Sequence, residues 1–300
     1  MQAVSTGQTL AAPIPAQTAY LNGEFLPLDQ ARVPVLDRGF IFGDGVYEVI
    51  PVYDRAPFRL EEHLRRLKRS LAAIALTNPH DDAGWSALID TLIAHHPWPD
   101  QSVYLHVTRG VAPRNHAFPE GVKPTVFMMS GALRLPSEAE RTMGVSALSL
   151  PDFRWLRCDI KSIALLGNCL LRQAAVEAGC KEAILFRDGW LTEGAASNIF
   201  VVSHGVLLAP PADHLILPGI TYELTIELAR THGLPCEVRP VSEAETRAAD
   251  EIWLSSSTNE VLAITRLDGK PVGGGMPGPV WQQMAQWVAA STRAQRGRGR

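Results

Sequence analysis

Lysine is scarce in this chain: five residues in 300, at positions 68, 123, 161, 181 and 270. An amine nucleophile therefore has few places to be. Cysteine is scarcer, with four residues at 158, 169, 180 and 236 that lack any paired metal-ligand spacing and lie in or beside apolar segments. That pattern excludes a cysteine-built metal site and predicts reduced core thiols. Long apolar runs are missing too; the best stretches, such as residues 70–76, are short and flanked by charge, which excludes a membrane-spanning helix. Residues 1–19 have no basic start followed by an apolar block, so they read as a loose polar extension and not a signal peptide, and the expected location is the cytoplasm. A net charge of −3 argues against a nucleic-acid partner, and the arginines of the tail, residues 294–300, read as a solvated terminus.

What is present is a chain 46% hydrophobic and 20% charged, long enough for two domains with ample cores. Asn22-Gly23 between apolar residues predicts a tight hairpin opening the structured part at Tyr20. Residues 46–53 alternate as a strand. Leu60, Leu64, Leu67, Leu71 and Ile74 recur at helical spacing, predicting a helix over 61–75, and a second covers 83–95. Strands over 102–109 and 124–129 complete an α+β unit spanning 20–131. Residues 132–142 turn polar and proline-punctuated, which predicts an interdomain linker. The second unit, 143–293, is expected to hold a helix over 164–178 stopped by Gly179, strands at 182–186, 198–202, 206–209 and 251–255, and helices at 221–231 and 279–293. Turns are expected at Asp188-Gly189 and His204-Gly205.

Lys161 stands in Arg157-Cys158-Asp159-Ile160-Lys161-Ser162-Ile163, between apolar neighbours and ahead of a helical run, whereas the other four lysines have ordinary surface contexts. Apolar surroundings disfavour the ammonium form, and a neutral amine can form a Schiff base with an aldehyde. A snorkelling lysine at a strand end would look the same. If the aldehyde is a pyridoxal ring, the chain must also supply a carboxylate for the ring nitrogen and a cradle for the phosphate. Glu193, in the small-residue segment Thr192-Glu193-Gly194-Ala195-Ala196, is read as a turn acid reaching inward or as an exposed loop glutamate. Leu217-Pro218-Gly219-Ile220-Thr221 opens a helix, where free amides favour a phosphate, although a Pro-Gly before a Thr N-cap is also an ordinary helix start. Ser255, Ser256 and Ser257 add hydroxyls past a strand. His63 and Arg66 share a helix face, and Tyr47 can project from its strand into a cleft. Arg114 and His116, one residue apart in a proline-bracketed loop, suit a carboxylate clamp or a solvated loop.

Taken together, Phe42-Gly43-Asp44-Gly45-Val46-Tyr47-Glu48, Val107-Thr108-Arg109-Gly110 with Arg114-Asn115-His116, the Lys161 segment, Thr192-Glu193-Gly194 and Leu217-Pro218-Gly219-Ile220-Thr221 occur in the order and spacing of one family. The chain resembles the D-amino acid aminotransferases, within the fold type IV (class IV) pyridoxal-phosphate enzymes, from about Tyr20 to the terminal helix. The resemblance implies a two-domain α/β (α+β) fold: a smaller N-terminal α/β sandwich, a larger barrel-like C-terminal domain, and the cofactor in the cleft between them. It implies that Lys161 binds pyridoxal 5′-phosphate covalently and moves the substrate Cα proton, and that Glu193 pairs with the ring nitrogen. Arg66, Ile220 with Thr221, and Ser257 would hold the phosphate, with His63 in support and Leu217 beside the ring. Tyr47 and Ser256, with Arg114 and His116 from the neighbouring subunit of a homodimer, would bind the substrate. The implied reaction is ping-pong transfer of an amino group from a D-alanine-like D-amino acid to a 2-oxo acid such as 2-oxoglutarate or pyruvate. Alternatives are an (R)-selective amine transaminase, a branched-chain aminotransferase, an aminodeoxychorismate lyase, or a binding protein without turnover. The sequence departs from the family's commonest pattern at Ala164, Ala195-Ala196, Asn259 and residues 261–264.

Overall fold

A computed structural model describes residues 17–296. Most of the proposed N-terminal extension, and residues 297–300 of the tail, lie outside the described residues. The first layer follows from a hairpin and two helices. Strands β1 (Thr18–Leu21) and β2 (Glu24–Pro27) are joined by Asn22-Gly23 with φ of 50° and 107°, the left-handed turn expected there. The first strand thus starts two residues before Tyr20. A five-residue helix, α1 (Arg38–Phe42), precedes β3 (Gly45–Tyr53) and the short β4 (Ala56–Pro57). Helices α2 (Leu60–Ala73) and α3 (Asp82–Ala94) follow, then β5 (Gln101–Thr108) and β6 (Thr125–Ala132). The strands form an antiparallel six-stranded sheet in the order β2-β1-β6-β5-β3-β4.

The period-2 pattern of β3 and β5 sends Val46, Ile50, Val52, Val103, Leu105 and Val107 to the face covered by α2 and α3, where they meet Leu64, Leu67, Leu71, Trp85 and Ile89. Each fully buried aliphatic side chain contributes roughly 1.5–3 kcal/mol. Glu48 shares that phase of β3 and is buried in the same layer.

The segment expected to be a plain linker contains α4 (Glu138–Met143), started by a Ser137–Glu140 capping box. The second sheet has nine strands: β7 (Val145–Pro151), β8 (Glu182–Arg187), β9 (Trp190–Gly194), β10 (Asn198–Ser203), β11 (Val206–Ala209), β12 (Cys236–Val238), β13 (Glu251–Ser256), β14 (Glu260–Leu267) and β15 (Lys270–Pro271). Their order is β12-β11-β10-β13-β14-β7-β8-β9, with β15 on β14. Pairing is parallel at β11–β12, β14–β7 and β7–β8 and antiparallel elsewhere. Helices α5 (Leu166–Glu177), α6 (Ile220–Thr231), α7 (Glu243–Arg247) and α8 (Pro279–Arg296) complete the chain. Residues 261–264, where the sequence departs from the family's commonest pattern and no strand is expected, belong to β14. That strand is covered on both faces, so its sequence is a continuous apolar run and lacks the alternation that marks a one-sided strand. The tail is helical through Arg296.

Two apolar layers flank this sheet, one around Ile199, Leu254 and Ile264 and one in which α6 and α8 cover Phe200 and Trp253. All four cysteines are free, but only Cys158 is buried, and Cys169 on α5 is exposed. Among the described residues no helix is long and apolar enough to cross a membrane, and no cluster of metal-ligating side chains occurs.

Candidate active site

A cavity of about 440 Å³ lies between the two sheets, lined from one side by Tyr47 and Arg66 and from the other by Lys161, Glu193 and the start of α6. The chain reaches Lys161 through a loop after β7. Backbone bonds stitch this loop to the first sheet: Tyr47 N–H donates to the Lys161 carbonyl at 3.0 Å and Ile163 N–H to the Gly45 carbonyl at 3.1 Å. The Lys161 N–H donates to Ser70 Oγ on α2 at 3.2 Å. Its Nζ lies 4.2 Å from the centroid of the Tyr47 ring. Burial, reinforced by the Arg66 charge, pulls the Lys161 amine down to about 8 despite Glu48 and Glu193 nearby. An appreciable fraction of the amine is therefore neutral near neutral pH. The snorkelling alternative does not describe an amine turned into a cavity.

Glu193 is not in a turn. It is the fourth residue of β9 and is buried, and the small residues after it, Ala195 and Ala196, line the cavity. One carboxylate oxygen accepts from Arg154 Nη1; the other accepts from the Leu217 amide at 2.9 Å and Asn198 Nδ2 at 3.1 Å. Arg154 is itself fixed by Asp152, which receives its Nε and Nη2, each at 2.9 Å. Burial pushes the Glu193 carboxyl up to about 7, with Arg154 and the Leu217 amide opposing. The result is a rigid carboxyl group poised to hold or share a proton near neutrality.

At the α6 end the N-cap is Gly219, not Thr221, and no side chain caps the helix. Thr221 is the second helical residue. A Cβ on Gly219 would stand 2.3 Å from Asn198 Oδ1, so the approach of the two segments requires glycine. The first amides of a helix have no intrahelical acceptor, and those of Ile220 and Thr221 open α6 at the cavity wall. Arg66 joins them, with Nη1 donating to the Pro218 carbonyl at 3.1 Å. Ser255 Oγ is buried without a partner at the same wall, while Ser256 Oγ accepts from the amide and side chain of Asn259, and Ser257 lines the cavity.

Arg66 is held by a residue that sequence reading passed over. Glu48 accepts its Nε at 2.8 Å and Nη2 at 2.7 Å, and also faces His63 Nδ1 at 2.8 Å. His63 is thus behind the cavity and not in its wall; its Nε2 is buried without a partner. Burial works against the Glu48 charge, but Arg66 and then His63 overcome it and hold the carboxyl near 2, below its ordinary 4.5. A depressed carboxylate stabilises the fold fully above the ordinary value and loses that contribution as pH falls towards the folded one. Chemical denaturation from pH 6 to 2.5 should therefore show an acid-labile contribution of about 3 kcal/mol that Glu48→Gln removes; parallel profiles for the two proteins would refute it.

Tyr47 projects into the cavity from the face of β3 opposite Glu48. Burial and the Glu48 charge push its phenol up to about 12, so it stays a hydrogen-bond donor. Arg114 and His116 are exposed on the loop between β5 and β6 and do not enter this chain's own cavity. Their side chains lie over Phe42, with the guanidinium carbon 5.5 Å and the imidazole 5.3 Å from the ring centroid.

Sequence reading assigned no role to Glu48, Arg154, Asp152 or Asn198. A signal existed for Glu48, a charge in the apolar phase of a strand, which has to be paired. None existed for Arg154, whose partners are 39 residues away and two residues away on the other side of a bend.

The donor set fits a flat phosphorylated pyridine aldehyde: a partly neutral amine, a carboxyl group turned into the same cavity, and free amides beside a guanidinium and an unpartnered hydroxyl. Comparison with known proteins agrees. The family model of amino-transferase class IV matches residues 45–267. The chain is 41% identical over 259 residues to the D-alanine aminotransferase of Bacillus licheniformis, covering 86% of this chain and 91% of that one. It is likewise 41% identical to that of Listeria innocua, covering 88% and 92%. The crystal structure of the Escherichia coli branched-chain amino acid aminotransferase superposes with a TM-score of 0.87 at 26% identity, covering 92% of this chain and 94% of that one. By sequence, fold and cavity, this chain belongs to the class IV aminotransferases.

Proposed function

We propose that the protein is a pyridoxal-phosphate-dependent D-amino acid aminotransferase that transfers the amino group of D-alanine or a similar D-amino acid to a 2-oxo acid. The observation that carries the chemistry is the shared cavity of Lys161, with its amine near 8, and Glu193, fixed by Arg154. The relatives named D-alanine aminotransferase support the substrate class. Their identity of 41% across most of the chain outweighs the 26% to the branched-chain enzyme.

When bound, the cofactor supplies a carbonyl carbon for the amino group and a conjugated ring that disperses charge from the substrate Cα. Lys161 is the group that would hold it covalently and, once released, take and return the Cα proton, since a neutral amine is both nucleophile and base. Glu193 would keep a proton at the ring nitrogen. The Ile220 and Thr221 amides, Arg66 and Ser257 would bind the phosphate, while Glu48 and His63 keep Arg66 aimed at it. Leu217 would flank the ring and lend its amide to Glu193. Tyr47, as a neutral phenol, and Ser256 would face the substrate.

Arg114 and His116 are proposed to bind the substrate carboxylate in the cavity of a second subunit. Phe40, Phe153, Trp155 and Leu166 are exposed and line one shared hollow, which supports a homodimer, since clustered exposed apolar side chains favour burial against a partner. The division into units at 20–131 and 143–293, and a cytoplasmic location, are part of the same proposal.

Purified protein should be yellow, and D-alanine with 2-oxoglutarate should yield pyruvate where L-alanine does not. A protein that stays colourless after incubation with pyridoxal phosphate would sink the reading. Arg114→Ala should raise KM for both substrates by at least about tenfold, the loss of one charge-assisted carboxylate contact, without changing cofactor affinity; equal loss of both would remove the clamp assignment.

A further inference from the structure

The loop that carries Arg114 and His116 is tied down by a network that the chemistry above does not use. Arg38, buried on α1, donates Nη1 to the carbonyls of Asn115 at 2.5 Å and Ala117 at 3.4 Å, and Nη2 to that of His116 at 3.3 Å. Three consecutive carbonyls on one guanidinium set the backbone directions from which the two clamp side chains leave. Phe42, four residues along the same helix, lies under both of those side chains and 4.8 Å from the Arg38 guanidinium.

Asp44 orients Arg38. Its Oδ2 accepts Arg38 Nε at 2.7 Å, and both its oxygens accept Arg109, at 2.8 and 3.0 Å. Arg109 in turn stacks on Phe118 of the same loop, 3.6 Å from the ring centroid, and donates to the carbonyls of Ile74 and Ala75 at the end of α2. The segment between Phe42 and Gly45 is also the one that meets the lysine loop: Gly43 abuts Ala164, where a Cβ would come within 3.1 Å, and Gly45 accepts from Ile163. One short segment therefore touches both the loop of Arg114 and the loop of Lys161.

We propose that Arg38 and Asp44 are positioning residues of the substrate-carboxylate clamp, holding the loop so that Arg114 and His116 are presented in one fixed geometry. This rests on the reading that those two residues bind the substrate carboxylate. A buried pair serving stability alone would need no donors on three consecutive carbonyls of the loop. Removing Arg38 frees the loop but leaves Asp44 paired with Arg109, so the fold retains its buried ion pair. An unfixed loop must be ordered at each binding event, which weakens substrate without touching the cofactor.

The test is Arg38→Met in the holoenzyme, with Arg38→Lys as the conservative variant. Arg38→Met should raise KM for D-alanine and for 2-oxoglutarate at least tenfold each, with kcat within threefold. Amide hydrogen exchange over residues 111–121 should be at least tenfold faster, and cofactor absorbance and affinity should be unchanged. Arg38→Lys, which keeps one cationic donor, should fall between; if Arg38→Met does not fold, that intermediate KM decides. Unchanged KM in either folded variant, or cofactor affinity falling in step with KM, overturns the positioning role. Failure of the unaltered protein to turn over any D-amino acid would instead overturn the functional reading beneath it.

Discussion

Lys161→Ala is expected to lower transamination by at least about 10⁴-fold, because it removes the nucleophile and the proton carrier together. Of the chain's five lysines it is the one that lines the cavity, so no neighbouring amine can substitute. The substitution leaves the fold in place: the hydrogen bonds that stitch this loop to β3 and α2 are made by backbone groups and not by the amine. The variant should therefore fold and bind the cofactor reversibly, with a visible spectrum distinct from that of the unaltered protein. A depressed amine also sets a pH dependence. Uptake of pyridoxal phosphate by the cofactor-free protein should accelerate as pH rises through about 8, where this amine becomes neutral, and not through the ordinary lysine value of 10.5. Stopped-flow absorbance between pH 6.5 and 9.5 measures this. A Lys161→Ala protein that keeps more than a hundredth of the activity would show that the amine is not the reacting group.

Glu193→Ala is the second large effect. A fall in kcat of roughly 10³-fold is expected from loss of a positioned proton-holding group. The variant should also be less stable, by about 1–3 kcal/mol, because Arg154 Nη1 loses its acceptor while Asp152 still compensates the guanidinium charge. Asn198 and the Leu217 amide lose an acceptor at the same time. Glu193→Gln separates the two effects. It retains the size and one acceptor, so denaturant stability should recover in part while kcat stays low, since an amide cannot share a proton with a ring nitrogen. Near-normal kcat in Glu193→Gln would dispose of the assigned role, whatever happened to stability.

Much of the fold can be read from local periodicity. The helix over 60–73 and the strand over 45–53 were expected within a residue or two, since one-sided burial imposes a period on the sequence. Strands β7, β9 and β14 escaped because their burial on two faces, or their mixture of small and polar residues, erases the alternation. Glu193 shows the consequence: a small-residue run looks like a turn, but here it is a strand end packed against its neighbours, where small size lets a cavity form. Thr221 shows another. Asn198 comes so close to the residue before the helix that only glycine fits there, and the cap moves to Gly219.

The sequence by itself determined which side chains are available for the chemistry: a rare lysine in apolar surroundings, an acid among small residues, a glycine-led helix start, and an arginine and histidine one residue apart. These are properties of composition and short spacing, and they survive without coordinates. Only the tertiary structure decided how those groups are tuned and where they act. The amine near 8 follows from burial beside Arg66, the fixed carboxyl from Arg154, and the aimed guanidinium from Glu48, all contacts between separate elements of the fold. The same holds for Arg114 and His116. Their spacing suggests a clamp, but the network through Arg38 and Asp44, which holds them outside their own chain's cavity, exists because folding brings a short helix under a distant loop.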